Sequence, residues 1–435
     1  MNGFSITQIA TVPHAAHQAI WRVGEQAPRQ VPTVIYDDSN QRHPIALKLI
    51  PDEENEVSIP LQISAQITVP PGVHRYYLRG SSIKDDRRPP VIPDPGETHS
   101  YPITSRQFQL DGGATGGETK LDTTFLYGKM DKVHFPFKAT GLWIWDLYEV
   151  GPPTLVVARC QVPLEIYFFL GDPSFHIAKP SALSPDKESI PAHVFELIEL
   201  TIPEYGDIAS TTLSPEDVKI VLVAHVVQQL WDFAGSGLTY DSLEGAPSYL
   251  RGSVFFLGSM LSKYHPSCNC FDLGAFVNYA FKSFGRRTDL QTGREIDFFE
   301  TRTCEVRPWG FIKPSVLIGT NAPCNNPFYA AFDQSRLVET DQWRTDFSCH
   351  CFCLWRQGGQ EKVIDICLVQ AIANTNRADP LWVHDNIQWD DHGNLVSLQD
   401  ATFSFAEYWN MRDHPEVGAD QVPVPQGEES FSSIS

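Results

Sequence analysis

Between about residue 30 and residue 170 the apolar positions fall in short, β-rich runs punctuated by proline and glycine, and no helix of useful length interrupts them. The runs are Ile59 to Val69, Val73 to Leu78, Ile103 to Leu110 and Phe137 to Leu147. The clearest stretch, Gly141-Leu-Trp-Ile-Trp-Asp-Leu147, is followed by Pro152-Pro153 and a second run, Leu155 to Leu170, interrupted by Pro163. This pattern predicts two strands and a turn. The stretch Lys84 to Glu97, rich in proline and charge, reads as an exposed loop. Strands at this spacing predict an N-terminal antiparallel β-sandwich over residues 1–205.

The pattern changes at Ser214-Pro215-Glu216-Asp217, where a capping residue, a proline suited to the first helical position and two acids suited to the positive end of the dipole stand in order. A helix is expected to about Phe233. Further on, Leu273, Phe276, Val277, Ala280, Phe281 and Phe284 lie at helical spacing, with Pro266-Ser267 ahead of them and Gly285 behind. An amphipathic helix follows, with Cys270 in its first turn. Phe347 to Trp355 is apolar on both faces apart from His350, and leads through Gly358-Gly359 into Val363 to Leu368. That is a buried hairpin. Residues 206–421 are therefore expected to form an α+β domain, and residues 422–435, dominated by Pro, Gly, Glu and Ser, a flexible tail. No internal repeat is present.

A chain of 435 residues exceeds a single core, at roughly 150 residues per domain, and its 42% hydrophobic and 20% charged residues suffice for full cores. Its formal charge of -20 offers no basic field for phosphates, so nucleic acid and anionic membrane surfaces are not expected as main partners. The first twenty residues lack a basic start followed by an apolar run, and no stretch of 18 apolar residues occurs, so a cytoplasmic protein is expected. Eight of the nine cysteines, Cys268, Cys270, Cys304, Cys324, Cys349, Cys351, Cys353 and Cys367, crowd into the second half. An odd, clustered set is no disulfide framework, and in a reducing compartment most of them serve as small buried hydrophobes.

Cys270 stands apart by position. At a helix start the free amide N–H groups and the dipole stabilise a thiolate and also hold the oxyanion formed when a thiolate attacks a carbonyl. With an even-numbered loop at Gly358-Gly359, His350 and Asp365 share one face of the hairpin, directly or diagonally opposed. Each is costly among apolar strands without a partner, and pairing removes both costs. A structural His-Asp pair is the competing reading. The thiol favours catalysis, with Asp365 orienting the ring and His350 taking the proton from Cys270.

Other readings are weighed beside this one. Cys268, Cys270, Cys349, His350, Cys351 and Cys353 suggest zinc, but alternation along a strand puts Cys349, Cys351 and Cys353 on the face opposite His350. No metal is expected. Pro308-Trp-Gly-Phe311 and Pro323-Cys-Asn-Asn-Pro-Phe328 lie between nucleophile and base, where Asn325 and Asn326 either hold a substrate amide or cap turns, the latter being the plainer reading. His265 lies near the thiol, and Asp272 is expected to complement the helix dipole.

At these residues the chain resembles the transglutaminase-like, papain-related superfamily, through Asn269-Cys-Phe-Asp-Leu273, Arg344-Thr-Asp-Phe-Ser-Cys-His-Cys-Phe352 and Val363-Ile-Asp-Ile366, in the order Cys, His, Asp. The first half is unmatched in detail. The family often has a small residue before the nucleophile and Ala four places after it, where this chain has Asn269 and Gly274; cysteines also flank His350. The resemblance implies a catalytic core behind the sandwich and acyl transfer through a thioester on Cys270. The partners would be a small-molecule or peptide acyl donor and an amine or water acceptor, with no cofactor. The second oxyanion donor, commonly Trp or Gln in the family, has only Trp309, Gln228 and Gln229 as candidates. Calcium has no ligand-spaced acidic loop to support it. A catalytically silent binding protein on the same scaffold is the alternative. Substrate identity and oligomeric state are not legible.

Overall fold

The computed structural model describes residues 3–12, 17–22, 33–38, 44–49, 56–82, 103–105, 107–112, 118–129, 136–151, 155–169, 176–177, 192–203, 215–241, 246–252, 254–288, 292–306, 311–312, 315–317, 323–324 and 350–371, with short strands at 378–380, 387–389, 395–398, 403–404, 412–413 and 433–434. They form an α+β protein with several sheets. The chain divides into two compact units: Met1–Asp172 with Lys187–Pro191 and Pro203–Ser210, and Pro173–Asp186 with Ala192–Ile202 and Thr211–Ser435.

The first unit is built from strands β1 (Gly3–Thr11), β2 (His17–Arg22), β3 (Thr33–Asp37), β4 (Ile45–Leu49), β5 (Glu56–Thr68), β6 (Gly72–Ser82), β7 (Ile103–Ser105), β8 (Phe108–Gly112), β9 (Glu118–Lys129), β10 (Phe137–Glu149) and β11 (Leu155–Phe169). Hydrogen bonding runs through them as one sheet in the order β2-β4-β11-β10-β6-β7-β9-β5-β1-β3, with β8 beside β6. Only β4 and β11 pair in parallel among these. The layering expected as two sheets thus belongs to one continuous sheet that curls. Strands six places apart meet, with the Cys160 side chain of β11 beside the backbone of Ile6 in β1. Pro163 is tolerated in β11 because β4 joins only from Ile166 onward, so one edge there needs no N–H. Trp145 of β10 lies opposite Gly80 of β6, and a Cβ at Gly80 would stand 2.8 Å from the indole ring. The glycine makes room for a fully buried tryptophan.

The second unit contains helices α1 (Ala192–Thr201), α2 (Pro215–Gly235), α3 (Leu257–Leu261) and α4 (Cys270–Lys282). Its elements that matter for the site are β12 (Thr239–Tyr240), β13 (Ser267–Cys268), β14 (Glu300–Val306), β15 (His350–Gln357), β16 (Gln360–Ile364) and β17 (Phe403–Ser404). Helix α2 begins at the expected proline, and α1 stands where only strands were anticipated. In α4, only Phe271 and Lys282 reach intermediate exposure, so the helix is buried nearly all round rather than amphipathic. Strands β14, β15, β16 and β17 form an antiparallel sheet in that order. The helix presses on it at Gly274, where a Cβ would lie 3.1 Å from the Cys351 sulfur and 3.4 Å from the Phe352 backbone. An alanine at this position would crowd the strand. Phe299 joins the layers, with ring centroids 4.9 Å from Phe281 and 5.7 Å from Trp355. Ser433–Ile434, at the end of the segment expected to be loose, pair in parallel with Val254–Phe255. Among the described residues no helix is long and apolar enough to cross a membrane.

Candidate active site

The hairpin sets the first two residues. Gly358 and Gly359, with φ of 57° and 82°, form a two-residue turn that needs left-handed backbone at both positions. Gln357 pairs with Gln360 across it, and Cys353 with Ile364. Carrying that register three residues further sets His350 opposite Cys367 and diagonal to Asp365, on one face. The imidazole Nε2 lies 2.9 Å from Asp365 Oδ2, with both side chains buried. Asp365 is itself fixed from behind. Its Oδ1 accepts the Cys367 N–H at 2.7 Å, and the Cys367 sulfur lies within 4.8 Å of the carboxylate.

Cys270 is the first residue of α4 and only 2% exposed. Asn269 caps the helix, its Oδ1 accepting the N–H groups of Phe271 and Asp272 at 3.0 and 3.1 Å, while Asp272 accepts the Asn269 N–H at 3.1 Å. This reciprocal cap fixes where the helix begins and so where the sulfur stands. The Cys270 side chain lies close enough to the His350 ring to raise its proton affinity. Burial alone would lower the proton affinity of His350, but the charge and hydrogen bond of Asp365, then the influence of Cys270, override it and raise the pKa to about 10. A ring that keeps its proton at neutral pH, between a thiol and a carboxylate, is equipped to steady a thiolate and later to give up a proton.

Asp272 does more than complement a dipole. It is fully buried, and its carboxylate also accepts the N–H groups of Ser248 and Tyr249, each at 2.8 Å, tying the loop before α3 to the foot of α4. Burial raises its pKa to about 6 despite these bonds.

Tyr240 escaped sequence reasoning. Strand β12 runs parallel to β13, pairing Tyr240 with Cys268, and is anchored by Thr239 N–H to Pro266 O and Asp241 N–H to Cys268 O, both 2.8 Å. The phenol is thereby held beside the helix start, and its Oη accepts the Cys270 N–H at 3.2 Å. Burial, followed by the charges of Cys270 and Cys367, drives its pKa well upward, so it keeps its proton. No local spacing links position 240 to position 270; a Tyr three residues after the Gly235-Ser-Gly237 helix stop is the sole mark it leaves.

Of the other candidates, the His265 ring packs edge-on against Tyr249 and Tyr264. Gln229 is half-buried on α2, whereas the Gln228 side chain, Trp309, Asn325, Asn326 and Cys349 lie outside the described residues. Among the described residues, donor atoms of His350, Asp365 and Cys367 lie within 4.8 Å of one another, a group that could hold a metal ion. Both Asp365 oxygens are already engaged there by hydrogen bonds, so a cation would have to displace the proton between ring and carboxylate. Among the described residues, Cys268, Cys270, Cys351 and Cys353 of the zinc reading form no such group, and the Cys351 sulfur faces Gly274.

No protein-family model and no curated protein matches the chain. Among solved structures, the crystal structure of red sea bream transglutaminase is similar at a TM-score of 0.27 and 13% identity, over 71% of this chain and 48% of that one. The chain thus spans about half the length of that protein.

Proposed function

We propose that the chain is a cysteine-dependent acyl-transfer enzyme of the transglutaminase-like, papain-related kind, with Cys270 as nucleophile, His350 as base and acid, and Asp365 as the group that orients the ring. The observation that carries this reading is the buried His350–Asp365 pair, 2.9 Å apart, with the buried Cys270 at a helix start close enough to act on the same ring. The Cys270 sulfur attacks the carbonyl carbon of an amide or ester donor. His350 then gives its proton to the departing amine or alcohol, leaving a thioester. An amine or water, deprotonated by the same ring, attacks the thioester and frees Cys270. Peptides or small molecules serve as donors, and no cofactor takes part in these steps.

Competitive alkylation with iodoacetamide tests the reading. Cys270 should react far faster than Cys160, Cys268 and the other thiols, and Cys270→Ala should abolish the fast phase. An acyl adduct on Cys270, seen by intact mass after incubation with an activated ester, identifies the intermediate. Uniformly slow labelling would favour the alternative, a catalytically silent binding protein on the same scaffold.

A further inference from the structure

A thiolate attacking a carbonyl needs two donors for the oxygen that becomes charged, and a helix start supplies one, the Cys270 N–H. We propose that the Tyr240 hydroxyl is the second, so that Tyr240 is a catalytic residue whose O–H binds the oxyanion of the tetrahedral intermediate. This rests on the acyl-transfer reading.

Three observations converge on it. The phenol oxygen sits 3.2 Å from the nitrogen of Cys270, where a carbonyl oxygen bonded to that N–H would lie. The phenol and the Cys270 side chain also act on one another electrostatically, and both residues are only 2% exposed. And the backbone on both sides of Tyr240 is pinned, through the N–H groups of Thr239 and Asp241, so the phenol is presented from a fixed strand. In the free enzyme the hydroxyl therefore stands in for the substrate oxygen. When the donor enters, its carbonyl oxygen takes the Cys270 N–H. The C–S bond forms, the π pair of the carbonyl moves onto oxygen, and the phenol, displaced from the N–H by that oxygen, donates its O–H to it. On collapse the pair returns, the carbon–nitrogen or carbon–oxygen bond of the donor breaks, and His350 protonates the leaving group. No oxidant or metal enters the balance. An N–H donor such as Trp or Gln, common in the family at this task, cannot accept the amide proton at rest; a hydroxyl does both.

Alkylation and acylation separate this role from a structural one, because iodoacetamide reacts by displacement at carbon and forms no oxyanion. In Tyr240→Phe, single-turnover acylation of Cys270 by p-nitrophenyl acetate, read as the nitrophenolate burst, should slow by about 10²- to 10³-fold. Alkylation of Cys270 should stay within a few-fold of wild type. Tyr240→His, which returns a ring N–H, should recover part of the acylation rate and guards against a folding defect in the phenylalanine variant. Acylation unchanged in Tyr240→Phe, or acylation and alkylation falling together in both variants, overturns the assignment while leaving the nucleophile in place. Wild-type Cys270 inert to both reagents removes the acyl-transfer reading itself, and the tyrosine role with it.

Discussion

Replacing Asp272 by asparagine removes a buried charge at the foot of α4 while keeping the side chain's size. The folded-state pKa of about 6, against an ordinary 3.8, means that the folded protein holds this proton more tightly than the unfolded chain does. Stability from that difference is fully present below about pH 3.8 and is lost as pH rises through about 6. One pKa unit corresponds to roughly 1.4 kcal/mol, so the full swing is about 3 kcal/mol, of which about 2 kcal/mol falls between pH 4.5 and pH 7.5. The variant lacks that swing. Its offset at any one pH also reflects the weaker acceptor offered to Ser248, Tyr249 and Asn269, so only the change with pH isolates the charge. Urea unfolding of both proteins at the two pH values gives the measurement. The stability of wild type relative to Asp272→Asn should drop by about 2 kcal/mol on going from acid to neutral. A difference constant across the range would refute the reasoning, and one that grows toward neutral pH would mean the carboxylate is stabilised by its bonds more than it is penalised by burial.

Gly274→Ala should lose about 1–2 kcal/mol, since crowding against Cys351 and the Phe352 backbone outweighs the roughly 1 kcal/mol gain in helix propensity, and adding Cys351→Ala should restore much of it; strictly additive urea midpoints in the double mutant would count against the close contact. Asp365→Asn removes the influence that lifts His350, leaving burial to lower the ring's pKa. NMR of the ring should show protonation persisting toward about pH 10 in wild type and lost below neutrality in the variant, and the part of wild-type stability that declines from about pH 6.5 through about 10 should be absent. Equal titrations in the two proteins would exclude this coupling. Gly80→Ala, driving a Cβ into Trp145, should cost the first unit about 2–3 kcal/mol while Cys270 alkylates at the wild-type rate; wild-type stability would show that the strand yields.

Local pattern made the long strands legible. The runs starting at Ile59, Val73, Phe137 and Leu155 became β5, β6, β10 and β11, because alternation and proline breaks are local properties. The diagonal placement of His350 and Asp365 followed from counting through two glycines, and the start of α4 from a proline and a capping residue. What stayed hidden depends on distant pairing. No periodicity announces that eleven strands join one sheet, that α1 interrupts what reads as strand-rich sequence, or that β12 delivers a phenol to a helix thirty residues away. Asp272 looked like a dipole partner because its sequence neighbours are helical; its burial comes from the Ser248–Tyr249 loop, which sequence does not bring near.

The two-glycine turn carries a constraint on how such a chain changes over time. Gaining or losing a single residue between β15 and β16 would rotate every position of one strand through half a turn, sending the carboxylate away from the imidazole while leaving the strands hydrogen-bonded. Length variation there is tolerable only in steps of two, so parity within a solvent-exposed tip, far from any reacting atom, decides whether the buried chemistry survives.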